Sequence, residues 1–432
     1  MLETLLYQPL YPALIRPLFP VLMTIELPLY MLILTGILRY RMDARRLPLV
    51  PADSAPLVSC IITCYSEGDA VRRTVEGLVN QIYSGPIEIL AVVDGADRNH
   101  HTLQALQRVR PQLPLSSQRT LKIIPKWQRG GRVSSLNTGL SLSRGEIVMA
   151  LDGDTSFDND MVATAARHMR NPNVIALTGT LRVRNRQAGI WTRLQALEYL
   201  IGLVATRTGL GAFNVINNVS GAFGIFRREA LIRVGGWECG TAEDLDMTLR
   251  LKRHFARHPE YRIEFAPTAI GHTDAPASFT ELLKQRLRWD GDLYYMYARK
   301  HRSAISPTMI GWRNTIATLW YGLLHQIVLP FAIALYLLYL ALTYPAVSVV
   351  IGLAVVYVIY LLITVVMTVF ALGLLSERRK ADMPLLLLTP LYPIYRGVMR
   401  LWAVVAILAE IVLDQHKDST MAPWWVLKRS QY

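Results

Sequence analysis

Glu146-Ile147-Val148-Met149-Ala150-Leu151-Asp152-Gly153-Asp154 is the stretch whose reading decides the fold. An unbroken apolar run of this length, without alternation, marks a strand buried on both faces, as in parallel sheets covered by helices. It passes straight into two carboxylates around one flexible glycine. Open parallel sheets bind ligands beyond the carboxyl ends of their strands. Asp152 and Asp154 therefore stand where a ligand is expected, and the pair suits a hard divalent cation that keeps water and bridges to phosphates. Taken alone they read equally well as turn or N-cap aspartates before a helix near Asn159.

Upstream, the same signature recurs at residues 58–63, 88–94 and 121–124, and two of these four strands end in aspartate, Asp94 and Asp152. Residues 69–81, 102–109 and 134–142 between them carry apolar side chains at helical spacing. The expectation is an α/β domain with a largely parallel sheet and helices on both faces. Neither G-x-G-x-x-G after the first strand nor G-x-x-x-x-G-K-[ST] occurs, so the common dinucleotide and phosphate-loop readings fail.

Other groups keep the strand-end acids company. Asp94-Gly-Ala-Asp97 offers an acceptor for a base or ribose, or a turn. Gly130-Gly131-Arg132 gives a cation on flexible backbone where a phosphate could lie. Ala242-Glu243-Asp244 opens a helix over 245–254, whose macrodipole stabilises an ionised carboxylate able to accept a proton. Gln285-Arg286-Leu287-Arg288-Trp289 falls in a helix over 278–300. Spacings of three and four put Gln285, Arg288 and Trp289 on one face, where a guanidinium binds diphosphate and an indole stacks on a sugar ring. Lys284, Arg286, Arg299 and Lys300 read as a basic face held against anionic lipid.

The chain has 432 residues, 52% hydrophobic and 18% charged, with 46 Lys+Arg against 32 Asp+Glu. That excludes a disordered or fibrous chain. No Asp, Glu, Lys or Arg occurs from Asn314 to Ser376, which is room for two spans of about twenty residues turning at Tyr344-Pro345. An earlier apolar stretch, 18–38, is interrupted only by Glu26 and followed by Arg39, Arg41, Arg45 and Arg46, the reverse of a signal peptide. It reads as a retained anchor, with Glu26 in a helix kinked by Pro20 and Pro28 near the outer interface. The basic clusters place residues 41–313 in the cytoplasm. Arg396 and Arg400 interrupt the last apolar run and would each cost about 2.5 kcal/mol or more at mid-bilayer. A short dip ending near Pro393, then an interfacial amphipathic helix, is expected there. The segments are thus an anchor at 1–40, a cytosolic domain at 41–277, interfacial helices at 278–313, two spans at 314–376, and at 377–432 a dip or third C-terminal span with interfacial helix and tail. The formal charge of +14 lacks the aromatic-interleaved basic patch of a nucleic-acid binder and conflicts with the spans. Cys60, Cys64 and Cys239 have no metal-ligand spacing and read as inert thiols.

In order, the D-x-D at Asp152, Glu243-Asp244 after Thr241-Ala242, and Q-x-x-R-W at Gln285 resemble the family 2 glycosyltransferases. Among these are the membrane-integrated processive synthases of β-linked polysaccharides: poly-N-acetylglucosamine, hyaluronan and cellulose synthases. The likeness runs from about Leu57 to Trp289, and Val219-Ser-Gly221-Ala-Phe-Gly224 looks like the segment lining the donor and acceptor pocket. The resemblance implies a glycosyltransferase A-type, Rossmann-like domain inserted between transmembrane helices of the inner (plasma) membrane. The donor would be a UDP sugar, UDP-GlcNAc before UDP-glucose, used with Mg2+ or Mn2+. The partners would be a growing polysaccharide, the lipid bilayer, and regulatory or export functions on separate subunits, without nucleic acid. Asp94 would contact uridine, Asp152 the nucleotide and Asp154 the metal. Asp244 would be the general base with Glu243 beside it, Arg288 would hold the diphosphate, and Trp289, near Gln285, would stack on the acceptor. Two departures stand out. Glu67 follows Thr63-Cys64-Tyr65-Ser66 where proline and Asn-Glu are common, and Arg132 replaces a usual lysine, a planar fork for a compact ammonium. Single-sugar transfer to a lipid, as in glucosylceramide synthases, and an inactive membrane scaffold are the competing readings.

Overall fold

The computed structural model describes residues 21–43, 55–238 and 241–417. Arg45, Arg46, Cys239 and the 422–429 tail lie outside the described residues. The four expected strands form as β1 (Val58–Cys64), β2 (Ile87–Asp94), β3 (Arg119–Lys126) and β4 (Ile147–Asp152). All three pairings among them are parallel. Residues along β1, β2 and β4 alternate between two cores, while β3 lies at the sheet edge. Ile61, Val148 and Ala150 join one, while Cys60, Ile62, Met149 and Leu151 join the other. This two-sided burial is what the unbroken apolar runs encode. It also silences the thiols, since burial pushes Cys60 up to about 12 and Cys64 likewise upward.

The sheet is larger and more mixed than expected. β5 (Ser156–Phe157), β6 (Val174–Val183), β7 (Phe223–Arg227) and β8 (Arg262–Thr273) extend it to the order β3-β2-β1-β4-β7-β6-β8-β5. β7 inserts antiparallel between β4 and β6, and β8 runs parallel to β6 with two register shifts. Helices Val71–Val79, His100–Val109 and Gly131–Leu142 cover the parallel half. Gly131, at φ 78°, makes the left-handed entry into the last of these, a conformation that favours glycine.

Three described helices are long and apolar enough to cross a membrane: Leu22–Asp43, Pro307–Thr343 and Ala346–Leu374. The break between the last two falls at Tyr344-Pro345. The first packs onto the α/β domain where Gly36 meets Gly209, so closely that a Cβ on Gly36 would collide with the Gly209 carbonyl oxygen. Leu29, Ile33 and Ile37 from this helix and Met367, Ala371 and Leu372 from the third share a core cluster with the sheet.

Glu26 is not the residue of a simple kink. It closes a π-helical turn, Leu22–Glu26, is fully buried, and takes hydrogen bonds from Arg400 and the Tyr360 hydroxyl. Arg396 pairs with Glu198 at 3.0 Å. Neither guanidinium is therefore an isolated charge of the kind that makes a mid-bilayer arginine costly. A 3-10 segment, Met383–Leu388, leads into one continuous helix, Tyr392–Leu413. Its buried side carries Tyr395, Met399, Ala403, Ala406 and Glu410, while Ile394, Val398, Leu401, Val405, Leu408 and Val412 form an exposed apolar stripe.

Candidate active site

The carboxyl ends of β1 and β4 lie side by side, with Thr63 in register with Asp152. Above them Arg132, on the first turn of the Gly131–Leu142 helix, is the centre of the cleft. Its guanidinium donates to Thr63 Oγ1 at 2.8 Å, to Glu243 Oε1 at 2.5 Å, to the Gly221 carbonyl at 2.6 Å, and to Asp152. One planar fork thus joins two strand ends, the glycine segment and the start of the Glu243–Lys252 helix, the last of these 111 residues from Arg132. Burial opposes its charge, but Asp152 and Glu243 more than compensate and hold Arg132 firmly protonated. Its donors are engaged by protein groups.

Asp244 sits on the next residue of the same helix. Ala242, the N-cap, has φ 47°, an uncommon left-handed conformation for a residue with a Cβ. The Asp244 carboxylate accepts from Gly221 N at 3.0 Å, Asn218 Nδ2 at 3.1 Å and Leu245 N at 2.7 Å. Gly221 packs tightly here, since a Cβ would come within 3.1 Å of Glu243 and 3.4 Å of Asp244. Burial first, and then the Asp244 charge, push the Glu243 carboxyl upward despite Arg132.

Glu67 lies over Gly153, where a glycine Cβ would meet its carboxyl carbon at 3.1 Å. Burial, reinforced by Asp154 and Asp152, pushes its carboxyl up to about 7, and its Oε2 is buried without a hydrogen-bond partner among the described residues. Asp154, exposed at the rim, is raised by burial and by Asp152. An orphaned oxygen on Glu67 beside the two strand-end acids fits a hard cation that keeps water and binds phosphate oxygens. Asp154 would hold it, with Asp152 and Glu67 near. Among the described residues, a ready cluster of three potential metal ligands occurs elsewhere, at Glu410, Asp414 and His416. There Asp414 is already taken by Arg299 and Lys417.

Asp94 lies at the edge of the cleft with both oxygens engaged. Oδ1 accepts from Lys126 Nζ and Gly130 N, and Oδ2 from Gly131 N, each at 2.8 Å. In this arrangement it shapes the glycine turn that presents Arg132.

The Q-x-x-R-W residues occupy the Phe279–Tyr294 helix, capped by Ser278, whose hydroxyl accepts from Glu281 N. Gln285 Oε1 is buried without a hydrogen-bond partner among the described residues. Arg288 faces Asp292, whose carboxyl is pushed up to about 7 by burial and further by Asp244 and Glu243. Asp292 thus lies within electrostatic reach of Asp244 and Glu243. Trp289 is 39% exposed and shares its side of the helix with Arg286, whose guanidinium lies 4.7 Å from the indole centroid. Half of the basic face expected to meet lipid turns inward, Arg286 to Glu198 and Lys300 to Asp246, while Lys284 and Arg299 stay exposed, Arg299 pairing with Asp414 at the surface.

Sequence reasoning missed Thr63, Asn218, Lys126 and Asp292. Only Asp292 carried a local signal, an acid one turn past Arg288. Arg207 was also missed. Burial lowers its pKa although Asp244 is near, and it has no hydrogen bond or ion pair among the described residues.

A mannosyltransferase from Pyrobaculum calidifontis, solved in complex with GDP-mannose and Mn2+, superimposes on 89% of this chain and 99% of its own, with a TM-score of 0.58 at 19% identity. That likeness establishes the fold, of glycosyltransferase A type. Among curated proteins, a poly-β-1,6-N-acetyl-D-glucosamine synthase of Staphylococcus aureus is 27% identical over 259 residues, covering 59% of this chain and 58% of the relative. The Staphylococcus epidermidis synthase is 28% identical over 235 residues, 54% of this chain and 53% of the relative. The chain thus spans somewhat over half the length of the curated relatives it matches. Residues 147–374, more than half of the chain, match the glycosyl transferase family group 2, and the chain is a member of that family, a glycosyltransferase.

Proposed function

We propose that the protein catalyses inverting, metal-dependent, processive transfer of a sugar from a UDP sugar, UDP-GlcNAc before UDP-glucose, to a growing β-linked polysaccharide. The observation that carries this reading is the bridge from Asp152 through Arg132 to Glu243, which sets the base candidate Asp244 beside the strand-end acids of the donor site. The curated synthases named above support the choice of N-acetylglucosamine.

Asp244 takes the proton of the acceptor hydroxyl as that oxygen attacks the anomeric carbon from the face opposite the leaving diphosphate. Its hydrogen bonds from Gly221 and Asn218 fix the carboxylate's direction before substrate arrives. When bound, a divalent cation at Asp154 would supply charge neutralisation at the diphosphate. Arg288 adds a guanidinium to the same task. Inversion at an α-linked donor yields a β linkage, and stacking of the terminal sugar on Trp289 returns a fresh hydroxyl to the base after each addition. The apolar helices beside the cleft offer an exit across the inner membrane, with the catalytic domain in the cytoplasm.

The test is to supply the detergent-solubilised protein with radiolabelled UDP sugars and Mg2+ or Mn2+, then to digest the product with linkage-specific hydrolases. A polymer from UDP-GlcNAc cleaved by a β-specific enzyme is expected. A single-sugar lipid would overturn processivity, and absence of any transfer or UDP release would overturn the catalytic reading.

A further inference from the structure

Glu198 ends the Ile190–Glu198 helix of the catalytic domain and lies outside the motifs used so far. Its side chain is 8% exposed, and its carboxylate gathers donors from two other helices. Oε2 accepts from Arg286 Nη2 at 2.6 Å and from the Tyr395 hydroxyl at 2.7 Å, while Oε1 accepts from Arg396 Nη1 at 3.0 Å. Arg286 in turn lies against the Trp289 ring, within the roughly 6 Å at which a cation binds an aromatic face.

We propose that Glu198 is a positioning residue: by holding the Arg286 guanidinium against one face of Trp289, it fixes the indole so that its other face receives the acceptor sugar. The inference rests on the reading of Trp289 as the acceptor platform and extends it to what sets the platform's orientation. The indole is half open to solvent, so packing alone leaves the ring free to turn. A guanidinium on one face restrains it, and that guanidinium is itself restrained by a buried carboxylate from the domain that carries the base. Tyr395 and Arg396 tie the same carboxylate to the Tyr392–Leu413 helix, so the platform, the catalytic domain and the C-terminal helix share one anchor.

The experiment uses the full chain in detergent with UDP-GlcNAc and a β-linked N-acetylglucosamine oligosaccharide as acceptor. Glu198→Asp keeps the charge but withdraws the carboxylate by one methylene. It is expected to raise the acceptor KM about five-fold and shorten the product, with donor KM and kcat at saturating acceptor held within about two-fold. Arg286→Met should give the same acceptor defect. The double variant Glu198→Asp/Arg286→Met should be no worse than Arg286→Met alone, because Glu198 acts through Arg286. Unchanged acceptor KM in Glu198→Asp, or additive effects in the double variant, would overturn the proposal. If the parent chain transfers no sugar, the reading of the site fails and this inference with it; if the parent transfers and the variants match it, the inference alone fails.

Discussion

Replacing Asp244 by asparagine tests the base assignment, and the structure dictates what else the change must do. Oδ2 accepts from Gly221 N and Asn218 Nδ2, and Oδ1 from Leu245 N. An asparagine offers one acceptor oxygen and one donor nitrogen. With its oxygen toward Gly221 and Asn218, its amide nitrogen faces the Leu245 N–H; flipped, it faces the other two donors. Either way at least one hydrogen bond becomes a donor–donor contact, a loss of about 1–3 kcal/mol of stability. The chemical loss is separate: removing a general base lowers turnover by about 100- to 10,000-fold. The assay pairs UDP release by the purified variant with UDP binding in Mn2+ measured by titration calorimetry. Turnover should collapse while UDP affinity stays within a few-fold of the parent, with a modest fall in thermal midpoint. Parental turnover would refute the assignment, and equal loss of turnover and UDP binding would move Asp244 from the acceptor to the donor side.

Arg132→Lys should lower kcat about 10- to 100-fold, because one ammonium has three donors and cannot span Thr63, Asp152, Glu243 and Gly221 together; steady-state UDP release measures it. Asp154→Ala should abolish metal-dependent UDP release, and unchanged activity in chelator would count against its metal role. Affinity for Mn2+, followed by calorimetry, should rise with pH to about 7 and then level, since Glu67 holds its proton up to about 7 and a bound proton competes with the cation. Glu67→Gln should flatten that rise.

The parallel half of the sheet was legible because strands buried on both faces must be apolar along their whole length, and because β2 and β4 end in acids. The antiparallel half was hidden for equally physical reasons. β6 buries Thr178 and Thr180 among its apolar residues, β8 slips register opposite Gly179, and β7 starts inside the glycine-containing 219–224 segment read only as pocket lining. Within the site, the acids and the Q-x-x-R-W residues were visible as residue types, but their partners depend on tertiary contacts. Lys126 meets Asp94 because the two are paired across β2 and β3. Arg286 was assigned to lipid because helical spacing says which residues share a face and not what the face meets. Its partner Glu198 is 88 residues away.

The inward turn of these charges bears on how a base and an acceptor platform keep their spacing beside a membrane. Asp246, two residues past Asp244, is fully buried and bonds His301 at 2.8 Å, Lys300 at 2.7 Å and Arg250 at 2.9 Å. Burial alone would raise its carboxyl, but His301, Lys300 and Arg250 pull it well below the usual range. A depressed carboxylate contributes stability above its unfolded pKa and loses it only as pH falls through the folded value, so this anchor is intact at neutral pH. Lys300 ends the π-helical turn that continues the Phe279–Tyr294 helix. The helix bearing Asp244 is therefore pinned to the far end of the helix bearing Arg288 and Trp289, while Glu198 pins its middle. Two buried carboxylates, reaching the acceptor helix from different parts of the catalytic domain, fix its translation and its roll together. A single contact would leave one of these free, and the repeated transfer proposed above requires both.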